Sequence, residues 1–391
     1  MSWQETGIME ERLKFIGACL ARDDTMSLIC ERFGISRKTG YKWLGRYERL
    51  GVAGLYDLPK APLVHGRATP DFIVAALLVE KGAHPLWGPK KLIARLKRAD
   101  GSVAWPAVSS AGAILERHGL VGRRRKRWRG AGEGPFAPAA EVNDVWSADH
   151  KGWFRTRDKQ RCQPLTIMDA KSRFVLGLEA GTSTGDEQAW PVFERLFHEN
   201  GLPRRIRSDN GAPFASVGIT GLTPLSVRFI KLGIALERIT PGKPQQNGSH
   251  ERFHATMLPL QHNPAANQAG QQQAFDAFRQ DYNHERPHEA LGQSMPGEHY
   301  VKSPRPMPDR LPEPDYNEEA AVRRVRHNGE IRWKADYVYV SQTLAGEKVA
   351  VTETDDGQWT MQFYAHALGT IDQRTNRLTR PPKQRPQGNT K

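Results

Sequence analysis

The chain has 391 residues, which is more than one ordinary domain of about 100 to 200 residues, so we expect several domains. Lysine and arginine number 57 against 43 acidic residues, and the formal net charge of +14 favours a polyanionic partner over a neutral one. Apolar runs such as residues 72–79 are far shorter than the ~18 residues that span a bilayer, and the first residues are acidic where a signal peptide is basic, so we expect a cytoplasmic protein with no membrane partner.

Residues 10–50 have apolar positions at helical spacing and predict a helical DNA-binding domain over residues 1–52. These positions are Leu13, Ile16, Leu20, Leu28, Ile29, Trp43, Leu44 and Tyr47. Gly34 suits a tight turn between helices, and Ser36 can cap the helix that follows. The exposed face of that helix would enter a major groove as in a helix-turn-helix, and its residues are Arg37, Lys38, Thr39 and Lys42. A small helical bundle with an ordinary solvated basic face is the alternative.

The three cysteines do not indicate a disulfide framework or a zinc site. Cys19, Cys30 and Cys162 are few and scattered, and none belongs to a CxxC pair. His65 and His84 have no paired cysteines after them, so a zinc-binding amino-terminal domain is not supported. We expect Cys19 and Cys30 to be core residues of the helical domain.

A linker over residues 53–68 loses periodicity and gains Gly and Pro, and a second helical domain follows over residues 69–122. Its helices are predicted at residues 70–81, 89–99 and 106–118, with Thr69 as the first cap. Pro70, Pro89 and Pro106 suit first helical positions, and Gly119 is placed to end the last helix.

Residues 123–140 predict a basic linker. A dense basic run surrounds Trp128, and its cations are Arg123, Arg124, Arg125, Lys126, Arg127 and Arg129. Such a run gains affinity for DNA by releasing condensed counterions, so its binding weakens steeply with salt. A disordered, solvated linker is a compatible interpretation, because a flexible arm can become ordered on a phosphate backbone.

Residues 141–300 predict an α/β domain. The pattern indicates a strand near residues 145–154, strands in LTIMDA and RFVLGLEA, a helix over residues 185–199 capped by Thr184, and a short strand that ends before Asp209. Asp149 lies on the first strand, and Glu251 lies in a helix entered through Asn247 or Ser249. A structural alternative exists for each acid: a strand-end aspartate bonded to a turn, or a first-turn glutamate stabilised by the helix dipole.

The remaining segments are a Pro-rich linker over residues 301–317, a small β-barrel over residues 318–376 and a disordered basic tail over residues 377–391. Asn328-Gly329 and Asp356-Gly357 are predicted hairpin turns. The strands beside them are IRWKADYVYV, EKVAVTET and QWTMQFY.

Five motifs in a fixed order resemble the insertion-sequence transposases of the DDE type, which have a retroviral-integrase-like catalytic core. The motifs are WSADHKGWF, RCQPLTIMDAKSRFVLGLEA, RSDNGAPF, ITPGKPQQNGSHERFHATM and YNHERPHEALGQSMP. In addition, HPLWGPKKLIARL at residues 84–96 resembles the second helix-turn-helix unit of that family. The resemblance implies a multidomain protein with amino-terminal all-α helix-turn-helix units, a central ribonuclease-H-like α/β core and a carboxy-terminal small β-barrel.

Matched motif to motif, the catalytic acids of the family fall on Asp149, Asp209 and Glu251, which would act as both catalytic and metal-binding residues. Two Mg²⁺ ions suit carboxylate oxygens and can stabilise the attacking and leaving oxygens of a phosphodiester, and Mn²⁺ is expected to substitute. Asp209 and Glu251 are 42 positions apart, somewhat more than is usual in the family, and the extra residues are expected in a surface loop within SVGITGLTPLS.

Residues around these acids are assigned smaller roles. Asp169 is expected to hold a turn, whereas Asp144 and Asp158 are expected to be surface charges. His254 could assist near the metals or be a structural histidine. Four further residues are expected beside the site: Lys243, Gln246 and Asn247, which could contact DNA, and Asn210, which could orient Asp209.

The resemblance implies a transposase that binds the terminal inverted repeats of a mobile element and catalyses strand cleavage and strand transfer. Its partners would be double-stranded DNA, as transposon ends and target, and further copies of the chain, and it would act at the bacterial nucleoid. A catalytically silent, transposase-derived repressor is the alternative. A nuclease for RNA-DNA hybrids shares the core but does not explain two helix-turn-helix units.

Overall fold

In the computed structural model, the described residues are 7–58, 68–121, 136, 138–240, 244–354, 358–372 and 375–380. The chain divides into two compact units, residues 1–70 and residues 71–391. Within the described ranges, no helix is both long and apolar enough to cross a bilayer.

The first unit is the predicted helix-turn-helix. It contains α1 (Ile8–Ala21), α2 (Met26–Arg32) and α3 (Arg37–Leu50), followed by a short 3-10 helix. Gly34 adopts a φ of 62° in the turn before α3, a conformation that glycine reaches without strain. The Ser36 hydroxyl accepts a hydrogen bond from the Thr39 N–H at 3.2 Å. The turn and the cap therefore confirm the sequence prediction.

The core of this unit is small. Its buried residues are Phe15, Ile16, Ile29, Cys30, Trp43 and Leu55. Cys30 is buried as expected, and Cys19 is partly buried. Leu13, Leu20 and Leu28 belong to the same helical pattern but are 41%, 56% and 52% exposed, because so small a unit buries a limited share of its apolar surface.

Gly40 lies where α3 crosses α2, and we expect Gly40→Ala to destabilise the first unit by about 1–3 kcal/mol through overpacking. A Cβ at this position would lie 2.5 Å from Cys30 Sγ and 3.1 Å from Phe15 Cζ. Gly45, on the same helix, is the matched control, since a Cβ there has nothing within 4 Å. Gly45→Ala should be neutral or stabilise by up to about 1 kcal/mol through helix propensity. Hydrogen exchange of the α3 amides in the full chain measures both effects, and equal protection in the two variants would contradict the prediction.

The second unit begins with three helices, α4 (Asp71–Ala83), α5 (Pro89–Ala99) and α6 (Val108–Arg117). They agree with the predicted spans to within two residues, and Pro89 begins α5 as expected. Gly119 follows α6 with a φ of 68°, a left-handed conformation typical of helix ends. The buried residues shared by the three helices are Leu77, Trp87, Leu92, Ile93, Leu96, Ala111, Ile114 and Leu115.

The basic face of α5 is paired with residues 285–298. Lys90 lies 2.5 Å from Glu289, Arg95 pairs with Glu285 and Arg98 pairs with Glu298. Lys91 donates to the Pro287 carbonyl, and burial lowers the pKa of Lys91 to about 8. These cations are therefore engaged with protein partners.

The central domain is built on a mixed sheet. Its strands are β1 (Val145–His150), β2 (Phe154–Arg155), β3 (Arg161–Asp169), β4 (Val175–Gly181), β5 (Arg205–Ser208) and β6 (Ala235–Arg238). The order across the sheet is β4-β3-β1-β5-β6. The short strand β2 pairs with Arg161 and Cys162, the first two residues of β3. β1, β3 and β4 are antiparallel neighbours, whereas β5 is parallel to both β1 and β6. The predicted order of three strands, a helix and a further strand is confirmed, with β2 added.

Helices cover both faces of the sheet. The helices of this domain are α7 (Asp186–Asn200), α8 (Pro224–Lys231), α9 (Gly248–His262) and α10 (Gln268–His284). On one face, Trp146 of β1 packs with Phe197 of α7 and Phe229 of α8. On the other face, Met168 of β3 packs with Phe253 of α9. Because both faces are covered, the edge where strands end is the accessible place for polar side chains.

Two local predictions in this domain are wrong. Thr184 does not cap α7: Gly185 is the capping residue, and the Gln188 side chain accepts the nearby N–H groups of Thr182 and Ser183. Asp144 is not a surface charge but only 7% exposed, because Arg205 pairs with it at 2.6 Å.

The Pro-rich segment lies against the central domain. The Arg305 guanidinium donates to the carbonyls of Pro203 at 2.8 Å and Leu232 at 3.1 Å. The Arg305 carbonyl accepts from the Leu202 N–H at 2.7 Å. This part of the predicted linker therefore has fixed contacts.

The predicted small β-barrel is not confirmed. The last strands are β7 (Ala321–Arg324), β8 (Glu330–Trp333), β9 (Asp336–Tyr339), β10 (Lys348–Glu353), β11 (Trp359–Phe363), β12 (His366–Asp372) and β13 (Arg377–Thr379). Among the described residues they form an open five-stranded sheet, β13-β12-β11-β10-β7, and a separate hairpin of β8 and β9. A turn at Lys334, with a φ of 54°, splits the predicted strand IRWKADYVYV into that hairpin, so it does not join the sheet.

The turn at Asn328-Gly329 is present, with a φ of 83° at Gly329, whereas Asp356-Gly357 and residues 381–391 of the tail lie outside the described residues. The core of the open sheet includes Val227 and Ile230 of α8. The carboxy-terminal sheet is therefore packed onto the central domain.

Candidate active site

The register of two parallel strands brings Asp149 and Asp209 to one edge of the sheet. Ser147 of β1 pairs with Arg207 of β5. Asp149 lies two positions beyond Ser147, and Asp209 lies two positions beyond Arg207 and directly follows β5. Because neighbouring strands are about 4.8 Å apart, the two carboxylates extend from adjacent backbones.

Helix α9 covers the face of the sheet that Ser147 and Asp149 share. Ser147 Oγ is 2.8 Å from His250 Nδ1, so side chains at alternate positions of β1 meet this helix. The buried residues of α9 recur at helical spacing and are His250, Phe253, His254 and Met257. Glu251 is in the first turn, beside this buried stripe, and is exposed. Asn247 is the capping residue by position but makes no side-chain cap.

The three predicted carboxylates act on one another electrostatically. The pKa of Asp149 is raised to about 7, mainly by burial, then by the charge of Asp209 and, to a smaller extent, by that of Glu251. Lys151 lowers the pKa of Asp149 but does not offset these effects. The charges of Asp209 and Glu251 are therefore near enough to act on Asp149, although only His250 and His254 offer ligand atoms within 4.8 Å of Asp149 and of one another among the described residues.

These three acids suit a divalent cation. Their donors are carboxylate oxygens, which hard cations such as Mg²⁺ prefer. Burial and the neighbouring negative charges make ionisation of the Asp149 carboxyl group unfavourable. A bound cation would offset this effect, since an opposite charge favours the charged form of a carboxyl group.

Thr166 links Asp149 to two buried histidines, His250 and His254, by hydrogen bonds. Thr166 Oγ1 donates to the Asp149 carbonyl at 2.9 Å and lies 2.5 Å from His250 Nε2 and 2.8 Å from His254 Nε2. His254 Nδ1 is 3.8 Å from Asp149 Oδ2, too far for a hydrogen bond. Burial and Lys151 lower the pKa of His254 to about 3, so the imidazole is neutral near pH 7 and the contact is not an ion pair.

Thr166 and His250 are not among the site residues predicted from the sequence. The spacing of His250 and His254, four residues apart in a helix, could have indicated the histidine pair. Nothing in the local sequence marks Thr166, which is placed by pairing with Asp149 across β1 and β3.

The roles expected of the flanking residues are partly corrected. Asn210 does not orient the Asp209 carboxylate, because its amide donates to the Ile239 carbonyl at 2.6 Å. The Gly211 N–H donates to Asp209 Oδ1 at 3.1 Å instead. Gln246 accepts from the Thr240 N–H at 2.8 Å, and Asn247 is buried, so neither is free to extend towards DNA.

The predicted DNA-binding residues divide into two groups. Arg37, Lys38 and Lys42 are exposed on α3, whereas the Thr39 hydroxyl is 2.9 Å from Ser36 Oγ. The others lie outside the described residues and are Arg123, Arg124, Arg125, Lys126, Arg127 and Lys243.

Family models match four segments of the chain. A helix-turn-helix domain matches residues 11–62, and two models described as integrase core domain match residues 139–244 and 232–296. The model of the IS481 family transposase C-terminal domain matches residues 320–379. Together these segments cover the first unit, the central sheet with α9 and α10, and the carboxy-terminal strands.

Two related proteins are encoded by insertion elements. The insertion element IS407 uncharacterized 31.7 kDa protein of Burkholderia multivorans is 26% identical over 286 residues, 71% of this chain and 95% of that protein. The insertion element IS476 uncharacterized 39.2 kDa protein of Xanthomonas euvesicatoria is 26% identical over 181 residues, 46% of this chain and 50% of that protein. The chain thus spans about half the length of the second relative.

Similar solved structures come from retroviruses. One is the simian T-cell lymphotropic virus intasome in complex with PP2A regulatory subunit B56 gamma, at 16% identity and a TM-score of 0.37, covering 76% of this chain and 100% of that chain. Another is the HTLV-2 integrase catalytic core domain in complex with magnesium, at 14% identity and a TM-score of 0.31, covering 41% and 98%. Both TM-scores are below 0.5, so the assignment of the fold depends on the observed strand order and on the family models, and not on these structures.

Proposed function

The chain is an insertion-sequence transposase of the DDE type with an integrase-like core, and from this membership we propose that it catalyses metal-dependent DNA cleavage and strand transfer at the ends of a mobile element. Its substrates are the terminal inverted repeats and a target duplex. It acts as a homo-oligomer, because two transposon ends must be handled together.

The observation that supports this proposal most is that Asp149 and Asp209 lie at the same edge of the sheet and that the charge of Glu251 also acts on Asp149. The three residues lie far apart in sequence, yet Asp209 and Glu251 both raise the pKa of Asp149. A structural aspartate at a strand end does not need two further carboxylates beside it, since like charges cost free energy. We therefore assign catalysis and metal binding to these three residues.

The acids would hold two divalent cations, which supply charge neutralisation on the scissile phosphate and activation of an oxygen nucleophile. Asp149, Asp209 and Glu251 would together hold these ions. Attack by water on the phosphodiester at the transposon end would break its P–O3′ bond, releasing a 3′-OH on the transposon and leaving a 5′-phosphate on the flanking DNA. That 3′-OH would then attack a target phosphodiester, joining the two strands and displacing the target 3′-oxygen, which leaves as a 3′-OH. Neither step needs a covalent enzyme intermediate.

A joining assay tests the proposed function. The protein is incubated with a terminal-inverted-repeat duplex, a supercoiled plasmid and Mg²⁺, and joined products are scored on a gel. We expect joined products that disappear with a chelator and return with Mg²⁺ or Mn²⁺. End-specific binding without joining would support the alternative, a transposase-derived repressor. Cleavage restricted to RNA-DNA hybrids would support a hybrid nuclease.

The exposed face of α3 is proposed to recognise the transposon ends, and we expect the double variant Lys38→Ala, Lys42→Ala to weaken end binding. Each lost phosphate contact should reduce the slope of log K against log[salt] by about 1. The matched control is Arg32→Ala on α2, since Arg32 pairs with Asp24 and lies outside that face. Fluorescence anisotropy at several salt concentrations measures both. An equal loss in the control variant would contradict a specific role for α3.

A further inference from the structure

The hydrogen-bond geometry around Thr166 fixes the proton positions of two buried histidines. A threonine hydroxyl has one proton to donate and can accept two hydrogen bonds. The Thr166 hydroxyl donates its proton to the Asp149 carbonyl oxygen, which can only accept. The two imidazole nitrogens that meet the same oxygen, His250 Nε2 and His254 Nε2, must therefore both donate.

This assignment leaves the two histidines in different situations. His250 donates through Nε2, and because a buried ring is neutral, its Nδ1 accepts from the Ser147 hydroxyl at 2.8 Å, a closer partner of that hydroxyl than the Met168 carbonyl at 3.3 Å. Both ring nitrogens of His250 therefore have partners. His254 donates through Nε2, so its Nδ1 carries a lone pair. His254 Nδ1 lies 3.8 Å from Asp149 Oδ2, and a cation bound between these two acceptor atoms would be attracted by both.

From this arrangement we infer that His254 is a ligand, through Nδ1, of the divalent cation held by Asp149. The inference rests on the proposed function, since it needs the metal site at Asp149. A separation of 3.8 Å is too long for a hydrogen bond, yet it is short enough for two ligand atoms of one ion.

The geometry also excludes the neighbouring histidine. Asp149, His250 and His254 each offer a ligand atom within 4.8 Å of the others. His250 is fully buried, and each of its nitrogens is within hydrogen-bond distance of a hydroxyl, so it has no free lone pair for a metal. Thr166 instead orients His254, as a hydrogen bond to the second ring nitrogen commonly does for a ligating histidine.

An imidazole ligand changes which metal the site prefers. Imidazole nitrogen suits later divalent metals such as Ni²⁺ and Zn²⁺, whereas oxygen ligands suit Mg²⁺ and Mn²⁺. The ratio of the Mg²⁺ and Ni²⁺ dissociation constants should therefore fall by about 10-fold in His254→Gln, mainly because Ni²⁺ binding weakens. Isothermal titration of the full chain without DNA measures this ratio.

Pulsed electron paramagnetic resonance of the full chain with Mn²⁺ alone tests the ligand directly. We expect a ¹⁴N coupling from a directly bound imidazole in the wild type, which changes to a ¹⁵N pattern when all histidines are ¹⁵N-labelled. His254→Gln should lose the coupling, and His262→Gln, an exposed position at the other end of α9, should keep it. The labelled wild type gives an answer even where the His254 variant folds poorly.

The outcomes separate the inference from the function on which it rests. Mn²⁺ that binds in an Asp149-dependent manner without nitrogen coupling would overturn the role of His254 and leave the proposed function intact. A coupling that survives in His254→Gln would do the same. If Asp149→Asn does not change Mn²⁺ binding, both the metal site and the role of His254 are wrong.

Discussion

Asp149→Asn should abolish the joining of transposon ends to target DNA, with a loss of at least about 10³-fold in rate. The substitution keeps the shape of the side chain but removes the negative charge that Asp149 would contribute to metal binding. End binding should be unchanged, since the helix-turn-helix belongs to the first unit of the chain and Asp149 to the second. Quantifying joined plasmid and end binding on the same preparation separates the two activities.

The control for this variant is Asp158→Asn. Asp158 is an exposed aspartate in the turn between β2 and β3, where it accepts from the Gln160 N–H. The Asp158→Asn variant should retain full joining activity. Asparagine at 149 also removes one of three mutually repelling charges, so unfolding in the absence of metal should be no easier than for the wild type. Strand transfer by Asp149→Asn at the wild-type rate would refute the assignment of the catalytic acids.

Asp169→Ala should lower the free energy of unfolding of the second unit by about 3–5 kcal/mol. Asp169 is completely buried at the end of β3. Its Oδ1 accepts from the Ser172 hydroxyl and N–H and from the Lys171 N–H, and its Oδ2 accepts from the Asn143 N–H at 2.8 Å. Alanine leaves several of these buried donors without an acceptor, and each unsatisfied donor costs about 1–3 kcal/mol.

Two further substitutions make this prediction specific. Asp169→Asn keeps Oδ1 but turns an amide towards the Asn143 N–H, so its loss should lie between zero and that of alanine. Asp158→Ala removes a turn aspartate that accepts from the exposed Gln160 N–H and from the hydroxyl of buried Thr156. It should cost less than about 1 kcal/mol, because water can replace the acceptor of the Gln160 N–H and the Thr156 hydroxyl can donate to the Gln160 carbonyl at 3.1 Å. The free energy of unfolding of all three variants is measured by urea unfolding, with hydrogen exchange of the β3 and β4 amides as the readout. If Asp169→Ala lowers this free energy no more than Asp158→Ala does, the predicted role of Asp169 is wrong.

The features that the sequence predicted well depend on local patterns. The cap at Ser36, the turn at Gly34 and the spans of α4, α5 and α6 follow from residues within one or two helical turns. The strand pattern placed Asp149 on β1 and Asp209 directly after β5. Glu251 needed the resemblance as well, because a glutamate in a first helical turn is ordinary on helix-dipole grounds.

The features that the sequence could not predict depend on pairing between distant segments. Asp144 reads as a surface charge until Arg205, 61 residues later, pairs with it. The predicted strand IRWKADYVYV gave no sign of the turn at Lys334 that leaves the carboxy-terminal sheet open. In both cases the local sequence is compatible with two structures, an exposed or a paired aspartate and a continuous or a split strand. Only contacts with distant segments of the folded chain determine which one forms.

The sequence by itself determined the helix-turn-helix character of the first unit, the α/β character of the central domain and the basic character of α3, and it predicted the three acids. Motifs and periodicity of this kind lie in short stretches of chain. The tertiary structure alone decided how those acids meet. The register of β1 with β5 sets Asp149 beside Asp209, and the packing of Phe253 on Met168 holds α9 across them. It also placed Thr166, 84 residues from His250, so that His254 faces Asp149 with a free lone pair. Hydrogen bonds over such separations depend on strand register and helix packing, which no local pattern specifies.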